Sequence, residues 1–268
     1  TNGFLLTKEI VDFLYDYGVG VNVSHNGVQS AGEQDAFKDE KNIEVIKYAH
    51  EKLKERFTFM AVNTEDSPDL CEKFNIFSNA IKSPKDDISI SIVALRWNDT
   101  NKPYLKNFSN EARKKITDSL YTCLTSGEKN IIQRIHHNSG YQQFENNIIH
   151  RNSINTACFN CCHNMNTGLV VDLKGNTYTC KMRPQLTGTL ENVNEIPATG
   201  FMTWQHREKC GQCPFIHICG GGCPRQKNGW EHDLTCENSY YPMLTGVFKA
   251  VFKNLFNVDV VEIDGVPV

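Results

Sequence analysis

The 268-residue sequence lacks the features that place a protein in a membrane or on nucleic acid. No apolar run approaches the ~20 residues that a bilayer crossing needs. The 28 basic and 31 acidic residues leave a net charge of -3, which gives no basic footprint for nucleic acid. The N-terminus has neither the charged stretch nor the apolar stretch of a secretory signal. We therefore expect no nucleic-acid partner, no membrane partner and a cytoplasmic location.

The cysteines also lack the even spread of a disulfide framework. Nine of the eleven lie between Cys158 and Cys236. Disulfide frameworks are typical of small secreted domains, and a chain of this length buries a core without them. Cys71 and Cys123 stand apart in segments with a helical pattern, and we interpret them as ordinary buried thiols. The cysteine chemistry is therefore local.

The first hundred residues alternate strand and helix patterns. Strand patterns at 19–23, 57–62 and 88–95 are separated by helix patterns near 7–17, 43–53 and 68–77. This alternation predicts a parallel sheet whose functional face is formed by the loops at the carboxyl ends of the strands. Thr7 is the expected cap of the first helix, and Ile10 and Phe13 its apolar face. Asn110 is the expected cap of a later one.

The composition changes near residue 150, where short strands rich in Gly, Asn and Cys begin. We therefore predict two domains, 1–150, which ends in a helical linker, and 151–268. The second domain should contain a hairpin around Lys174-Gly175 and a final apolar helix from about Tyr240 to Phe256.

The densest chemical signal is the run Cys210-x2-Cys213-x5-Cys219-x3-Cys223, followed by Cys236. Five thiols are too many for one tetrahedral site. Further cysteines lie upstream, at Cys158, Cys161, Cys162 and Cys180. The nine thiols suffice for two sites of four thiolates each. Because zinc and iron–sulfur clusters both take four thiolates, the spacing leaves both open.

The order of these cysteines resembles the SPASM domain of radical S-adenosylmethionine enzymes, which modify peptides and proteins. The likeness covers Gly168 to Cys180, the run from Cys210 to Pro224 with its three glycines, and Cys236. In that family the domain carries two auxiliary [4Fe-4S] clusters with interleaved ligands. The resemblance implies one cluster on Cys210, Cys213, Cys219 and Cys236. It implies a second on Cys180 and Cys223 with two upstream cysteines, for which we favour Cys158 and Cys162 over Cys161.

The N-terminal segments resemble the barrel of the same family. Residues 1–7 are similar to the Thr-Asn-Gly turn after the fourth barrel strand, and residues 21–27 to the fifth strand. The resemblance implies that Ser24 contacts S-adenosylmethionine and that Leu95 packs on its adenine. The expected fold is α/β: the C-terminal half of a partial (β/α)6 barrel followed by a small SPASM domain. We expect a fragment of a longer protein, because the strand before Thr1 is missing.

Three departures from the family pattern affect the expected activity. The Cys-x3-Cys-x2-Cys motif of the catalytic cluster is absent from the chain. Asn26 replaces the motif's Asp, and Ala36 stands where an Arg is expected. Lys181 stands where sulfatase-maturing members carry a proton-accepting Asp, and a cationic amine does not accept a proton.

The resemblance therefore implies an enzyme that is complete only in a longer protein, so that the fragment alone is inactive. The complete protein would bind S-adenosylmethionine and a third [4Fe-4S] cluster, and would abstract hydrogen from a peptide or protein substrate. Its electrons would come from a reductant such as ferredoxin or flavodoxin. One alternative is a zinc-binding structural or interaction module on a non-catalytic, degenerate barrel. Another is a cluster carrier or substrate-recognition piece whose catalytic half is a separate polypeptide.

Overall fold

A computed structural model of the chain describes residues 1–27, 35–93, 106–126, 145, 148–150, 170–172, 174–178, 186–195, 205, 207–222 and 229–268. The chain forms two compact units. The first, which we call the sheet unit, comprises Thr1–Leu95, Phe108–Asn152 and Asn238–Val268. The second, the cysteine unit, comprises Arg96–Asn107 and Ser153–Glu237. The domain boundary at residue 150 stays a prediction.

Helices and strands alternate in the first third of the chain. The helices are α1 Lys8–Asp16, α2 Glu40–Leu53, α3 Leu70–Ile81, α4 Asn110–Thr125, α5 Ile216–Cys219, α6 Trp230–Thr235 and α7 Tyr241–Phe256. The strands are β1 Val21–Ser24, β2 Phe57–Val62, β3 Ile90–Val93, β4 Val170–Val171, β5 Asn176–Tyr178, β6 Leu186–Thr189, β7 Glu262–Ile263 and β8 Val266–Pro267. Within these described residues, no helix combines the length and the apolar character of a bilayer crossing.

Strands β1, β2 and β3 form a parallel sheet in sequence order, which confirms the predicted arrangement. Val23, Phe59 and Ile90 lie in one row across the three strands and are almost completely buried. Phe59 stacks on Phe77 of α3, with ring centroids 4.3 Å apart. This helix-covered face is the core of the sheet unit.

Helices α1 to α4 each follow a polar residue whose side chain accepts one of the first N–H groups of the helix. Thr7 accepts a hydrogen bond from the Ile10 N–H, as predicted. Asp39 and Asp69 cap α2 and α3 in the same way. For α4 the capping residue is Ser109, so the expected cap at Asn110 was wrong by one position.

Helices α4 and α7 pack closely together. A side chain on Gly246 would come within 2.6 Å of the Thr117 carbonyl oxygen, so only glycine fits there. The Thr117 hydroxyl donates to the Pro242 carbonyl oxygen at 3.0 Å. The final apolar helix of the sequence thus packs within the sheet unit.

The predicted hairpin around Lys174-Gly175 is present as β4 and β5, which pair antiparallel. Asp172 organises its turn by accepting N–H groups from Lys174 and Asn176 at 2.8 and 3.0 Å. Its other oxygen accepts from the Tyr178 hydroxyl at 2.9 Å. Hydrogen bonds from Asn176 and its neighbours lower the pKa of Asp172 to about 2. The carboxylate therefore stays ionised and holds the turn.

Candidate cofactor face and cysteine centre

Among the described residues, one face of the parallel sheet is more exposed than the other; we call it the open face, and Ser24 lies on it. The side chains of β1 alternate between buried and exposed, which puts Val21 and Val23 on the covered face and Asn22 and Ser24 on the other. Ser24 pairs with Met60, which pairs in turn with Ser91. A row of small and flexible side chains thus crosses the open face, starting at Ser24, the last residue of β1. Leu95, the second expected cofactor contact, lies outside the described residues.

The residues after β1 are fixed by the backbone of their neighbours. The Asn26 side-chain oxygen accepts the Val62 N–H at 3.1 Å, and the Asn26 carbonyl oxygen accepts the Ser67 hydroxyl at 2.8 Å. Because an amide oxygen accepts such an N–H as well as a carboxylate does, the Asn at this position keeps a structural hydrogen bond. The loop after β2 is thereby tied to the end of β1.

His25 holds the segment that follows the undescribed residues 28–34. Its Nδ1 accepts the Gly27 N–H at 3.1 Å, so its Nε2 carries the hydrogen and donates to Asp35 at 2.9 Å. Burial raises the pKa of Asp35, but its hydrogen bonds with His25 and the Phe37 N–H outweigh that effect and lower the pKa. Ala36, at the position expected to hold an Arg, is buried. A carboxylate–imidazole pair thus occupies this region.

Lys73 is a completely buried cation that contacts the loop after β2. Its ammonium donates to the carbonyl oxygen and, at 2.9 Å, to the hydroxyl oxygen of Ser67. Burial lowers the pKa of Lys73 to about 8. Gly27 packs directly on it with a φ of +89°, and an added Cβ would come within 2.9 Å of the Lys73 Cγ. Sequence reasoning missed this lysine, since lysines are rarely buried.

Asn63 stands at the end of β2 and is 3% exposed. Among the described residues, its side-chain oxygen accepts no hydrogen bond. Ser24, Asn26 and Asn63 therefore place three polar side chains at the carboxyl ends of adjacent strands. Polar groups at this edge of a parallel sheet are typical of ligand sites.

The cysteine centre, which we define as Cys210, Cys213, Cys219 and Cys236, is built on short turns. Cys210 lies in a single helical turn, Glu208–Gln212, and its carbonyl oxygen accepts the Cys213 N–H at 3.2 Å. The Cys213 carbonyl oxygen then accepts the Ile216 N–H at 3.1 Å, at the start of α5. Helix α5 ends at Cys219. The local spacing of the sequence therefore brings three thiols to consecutive turns.

The glycines after Cys219 have backbone conformations that other residues rarely adopt. Gly220, Gly221 and Gly222 have φ values of 59°, 82° and 73°. This left-handed path returns the chain to Cys219, whose carbonyl oxygen accepts the Gly222 N–H at 3.2 Å and whose sulfur interacts with the N–H groups of Gly221 and Gly222. Backbone N–H donors of this kind stabilise a thiolate.

The four thiols of the centre interact electrostatically in every pairing. Burial and then the neighbouring thiols raise the pKa of Cys219 to about 12, and the same causes raise the pKa of Cys236. Burial also raises the pKa of Cys210. Four partly buried thiolates repel one another unless a cationic group lies between them, and a bound metal deprotonates its thiols. Thiolates are donors that both iron–sulfur clusters and zinc take, so the chemistry of these four side chains suits either group.

The assignment of these thiols as ligands stays a prediction. Within the described part of the chain, no three Cys, His, Asp or Glu side chains converge as the ligands of one metal ion. The remaining expected ligands, Cys158, Cys162, Cys180 and Cys223, lie outside the described residues, as do Cys161 and Lys181.

Two buried polar side chains surround the cysteine centre. Arg207 is 4% exposed and His232 is 2% exposed. Both contact the Gly221 carbonyl oxygen, Arg207 through Nη1 and His232 through Nε2 at 3.2 Å. His232 Nε2 also lies 3.9 Å from the Cys210 sulfur. Sequence reasoning missed both, although His232 precedes Cys236 by one helical turn and Arg207 precedes Cys210 by three positions.

The structure joins Cys71 and Cys123, on α3 and α4, in a disulfide with Cα atoms 6.3 Å apart. Our interpretation of them as two separate thiols was therefore wrong. The spacing of 52 residues carries no signal of this pairing, because the packing of the two helices creates it.

The comparisons with known proteins gave structural likeness only. No protein-family model matches the chain, and no curated protein matches it in sequence. Among solved structures, anSMEcpe with bound AdoMet and a Kp18Cys peptide has a TM-score of 0.58 and 17% identity, covering 96% of this chain and 75% of that one. A polyhistidine-tagged anSMEcpe with bound AdoMet has a TM-score of 0.61 and 19% identity, covering 96% of this chain and 73% of that one.

These structures are of an anaerobic sulfatase-maturating enzyme, a radical SAM and SPASM enzyme. At this level of identity the likeness concerns the fold. The chain has a mixed helix and sheet fold that matches radical SAM enzyme structures over nearly its whole length.

Proposed function

We propose that this chain is part of a radical S-adenosylmethionine maturase with a SPASM domain, which modifies a peptide or protein by hydrogen abstraction. The observation that carries the proposal is the cysteine centre, where four thiols interact in every pairing beside two backbone N–H donors. The fold supports it, because the similar structures contain AdoMet and, in one case, a peptide.

The cysteine centre is proposed to hold one auxiliary [4Fe-4S] cluster, and Cys158, Cys162, Cys180 and Cys223 a second. A cluster bound at this position would supply one-electron transfer. The chain's own contribution is to stabilise the Cys219 thiolate through the Gly221 and Gly222 N–H groups and to exclude water with Phe215 and Ile216, which are 1% and 7% exposed.

The open face of the sheet unit is proposed as the cofactor side. Ser24 offers a hydroxyl at the carboxyl end of β1, and Leu95 would meet the adenine. The loops behind this face are held by Asn26 and by Lys73, and the Ser24 N–H donates to the Thr1 carbonyl oxygen at 2.7 Å, which fixes the backbone of Ser24. S-adenosylmethionine, a third [4Fe-4S] cluster and a low-potential reductant such as ferredoxin or flavodoxin complete the proposed protein.

Metal analysis of anaerobically purified chain tests the proposal. We expect brown protein with about eight iron per chain, because each of the two proposed [4Fe-4S] clusters contains four iron atoms. Cys219→Ser should lower the iron content by about half, since one cluster loses a ligand. The double variant Cys71→Ser, Cys123→Ser, which removes the disulfide outside the centre without leaving an unpaired thiol, is the control and should keep full iron. Colourless protein with stoichiometric zinc would establish the zinc-binding module instead.

Cofactor binding in the complete protein tests the role of Ser24. Ser24→Ala should weaken S-adenosylmethionine binding roughly two- to tenfold, the effect of losing one hydrogen bond of about 0.5–1.5 kcal/mol. Calorimetric titration measures the change. Ser78→Ala removes a hydroxyl that donates to Ser83 and serves as the control. Equal affinities for Ser24→Ala and the wild type would remove Ser24 from the cofactor site.

A further inference from the structure

We propose that Arg207 and His232 set the reduction potential of the group held by the cysteine centre. The proposal rests on the proposed function, because it concerns a thiolate-bound cluster. It adds two residues outside the expected ligand set and gives them an electrostatic role. Neither residue is a ligand, and both act through the peptide and thiols around Gly221.

The Gly221 carbonyl oxygen accepts hydrogen bonds from both side chains. Arg207 donates through Nη1, and His232 Nε2 lies at 3.2 Å. Because a carbonyl oxygen only accepts, Nε2 must carry the hydrogen, and this fixes the tautomer of the ring. The two donors therefore place positive potential on one peptide unit.

The N–H group of the same peptide unit lies on the side of Cys219. The Gly221 carbonyl and the Gly222 N–H belong to the same peptide bond. The Gly222 N–H donates to the Cys219 carbonyl oxygen at 3.2 Å and, together with the Gly221 N–H, also interacts with the Cys219 sulfur. Hydrogen bonds in a chain polarise one another in a low-dielectric interior. Donation by Arg207 and His232 to the carbonyl thus strengthens the N–H bond to Cys219.

Arg207 and His232 also interact directly with the Cys210 thiol. His232 Nε2 lies 3.9 Å from the Cys210 sulfur, and the Arg207 charge interacts with the same thiol. Both side chains are almost fully buried, so water and salt screen their fields little. Two of the four thiolates therefore face positive potential from the same pair of residues.

The positive potential of the two side chains should change the reduction potential of the cluster. Reduction adds one electron to a cluster without a proton, and hydrogen bonds to sulfur and nearby positive charge stabilise the more negative state. Arg207 and His232 should therefore raise the potential and make the cluster easier to reduce. Removing either should move the potential to more negative values.

The experiment is an anaerobic redox titration of the complete chain with dithionite, followed by electron paramagnetic resonance. The cluster of the cysteine centre is identified as the signal that Cys219→Ser lacks. Three variants remove the charge of Arg207 or the N–H donor of His232: Arg207→Gln, His232→Leu and His232→Phe. Two conservative variants retain the charge or an N–H donor: Arg207→Lys and His232→Gln. Lys209→Gln is the matched control, because it removes an exposed cation next to Cys210 that pairs with Glu237 at 2.8 Å.

We expect Arg207→Gln and His232→Leu to keep their iron and to titrate at a more negative potential. A tenfold change in the reduction equilibrium corresponds to about 59 mV for one electron. Arg207→Lys, His232→Gln and Lys209→Gln should stay near the wild type, the last because solvent screens an exposed charge. This pattern would support the proposal.

Three results would overturn it: unchanged potentials in iron-replete Arg207→Gln and His232→Leu, an equal shift in Lys209→Gln, or loss of iron from all three donor-removing variants. The last result would make the two residues purely structural. Wild-type chain without iron would instead end the proposed function, so the two failures are distinguishable.

Discussion

The sheet unit and the cysteine unit keep their order by different means. In the sheet unit the parallel strands bury Val23, Phe59 and Ile90 under helices, with Phe77 stacked on Phe59. In the described residues of the cysteine unit, the buried apolar side chains are Cys210, Phe215 and Ile216. Its buried polar side chains include Arg207 and His232. Apolar burial stabilises the first unit, whereas we propose that the second depends on a group bound by its thiols.

The difference shows why the proposed function places its cofactor face and its clusters on separate scaffolds. A sheet that is stable through its core holds Ser24 and Asn26 in fixed positions without a ligand. A region of short turns gains its order when a metal group binds, as small metal-binding domains do. Three substitutions in the sheet unit sharpen the comparison.

The largest expected effect comes from the core of the sheet. Phe59→Ala should lower the free energy of unfolding by about 3–5 kcal/mol, because it leaves a cavity where Phe59 meets Phe77. Hydrogen exchange of β2, measured by mass spectrometry, reports this loss. Phe13→Ala is the matched control, since Phe13 is 59% exposed and should cost much less. Equal effects of the two substitutions would contradict the core described here.

An intermediate effect is expected from Lys73 and depends on pH. Burial lowers its pKa to about 8, against about 10.5 in the unfolded chain. Between these values the unfolded state binds more protons, so the free energy of unfolding rises with pH across that window. Each pKa unit corresponds to about 1.4 kcal/mol, which makes about 3 kcal/mol an upper bound.

Lys73→Met removes the titrating group and should remove this pH dependence. Urea unfolding of the wild type and the variant between about pH 7 and pH 11 measures it. The stability of the wild type relative to Lys73→Met should increase as the pH rises. A constant difference across this range would show that the Lys73 amine is not buried in the folded state.

The smallest of the three effects is expected at Gly27. Gly27→Ala forces a φ of +89° on an alanine and brings its Cβ to 2.9 Å from the Lys73 Cγ. The strain should cost about 1–3 kcal/mol. Thermal unfolding measures the loss, and Gly211→Ala, with no atom within 4 Å of an added Cβ, is the control. If Gly27→Ala were as stable as the control, the close packing of Gly27 on Lys73 would be wrong.

The sequence predicted the elements whose signals are local. The strand at 57–62 is β2 with the same bounds, because its alternation of buried and half-buried side chains is visible in the residues themselves. The hairpin around Gly175 follows from turn chemistry. The first helix has its expected cap, yet Phe13 on its expected apolar face is exposed while Val11 is buried. The apolar periodicity of a sequence predicts that a helix forms, but it does not predict which element the helix packs against.

Features that depend on distant residues were not predictable in this way. The burial of Lys73 requires the loop at Ser67, and the disulfide requires α3 and α4 to meet. In the candidate site, spacing pointed to the four thiols, because three of them lie in consecutive turns. The roles of Arg207 and His232 depend on the left-handed path through Gly221, which the three glycines permit but do not specify.

The contrast between the two units is tested most directly by hydrogen exchange of the anaerobic protein before and after its metal is removed with a chelator. We expect peptides covering 207–222 and 229–236 to lose protection, while peptides covering β2 keep theirs. Unchanged protection of both regions in metal-free protein would contradict the account, because the cysteine unit would then hold its order without a bound group.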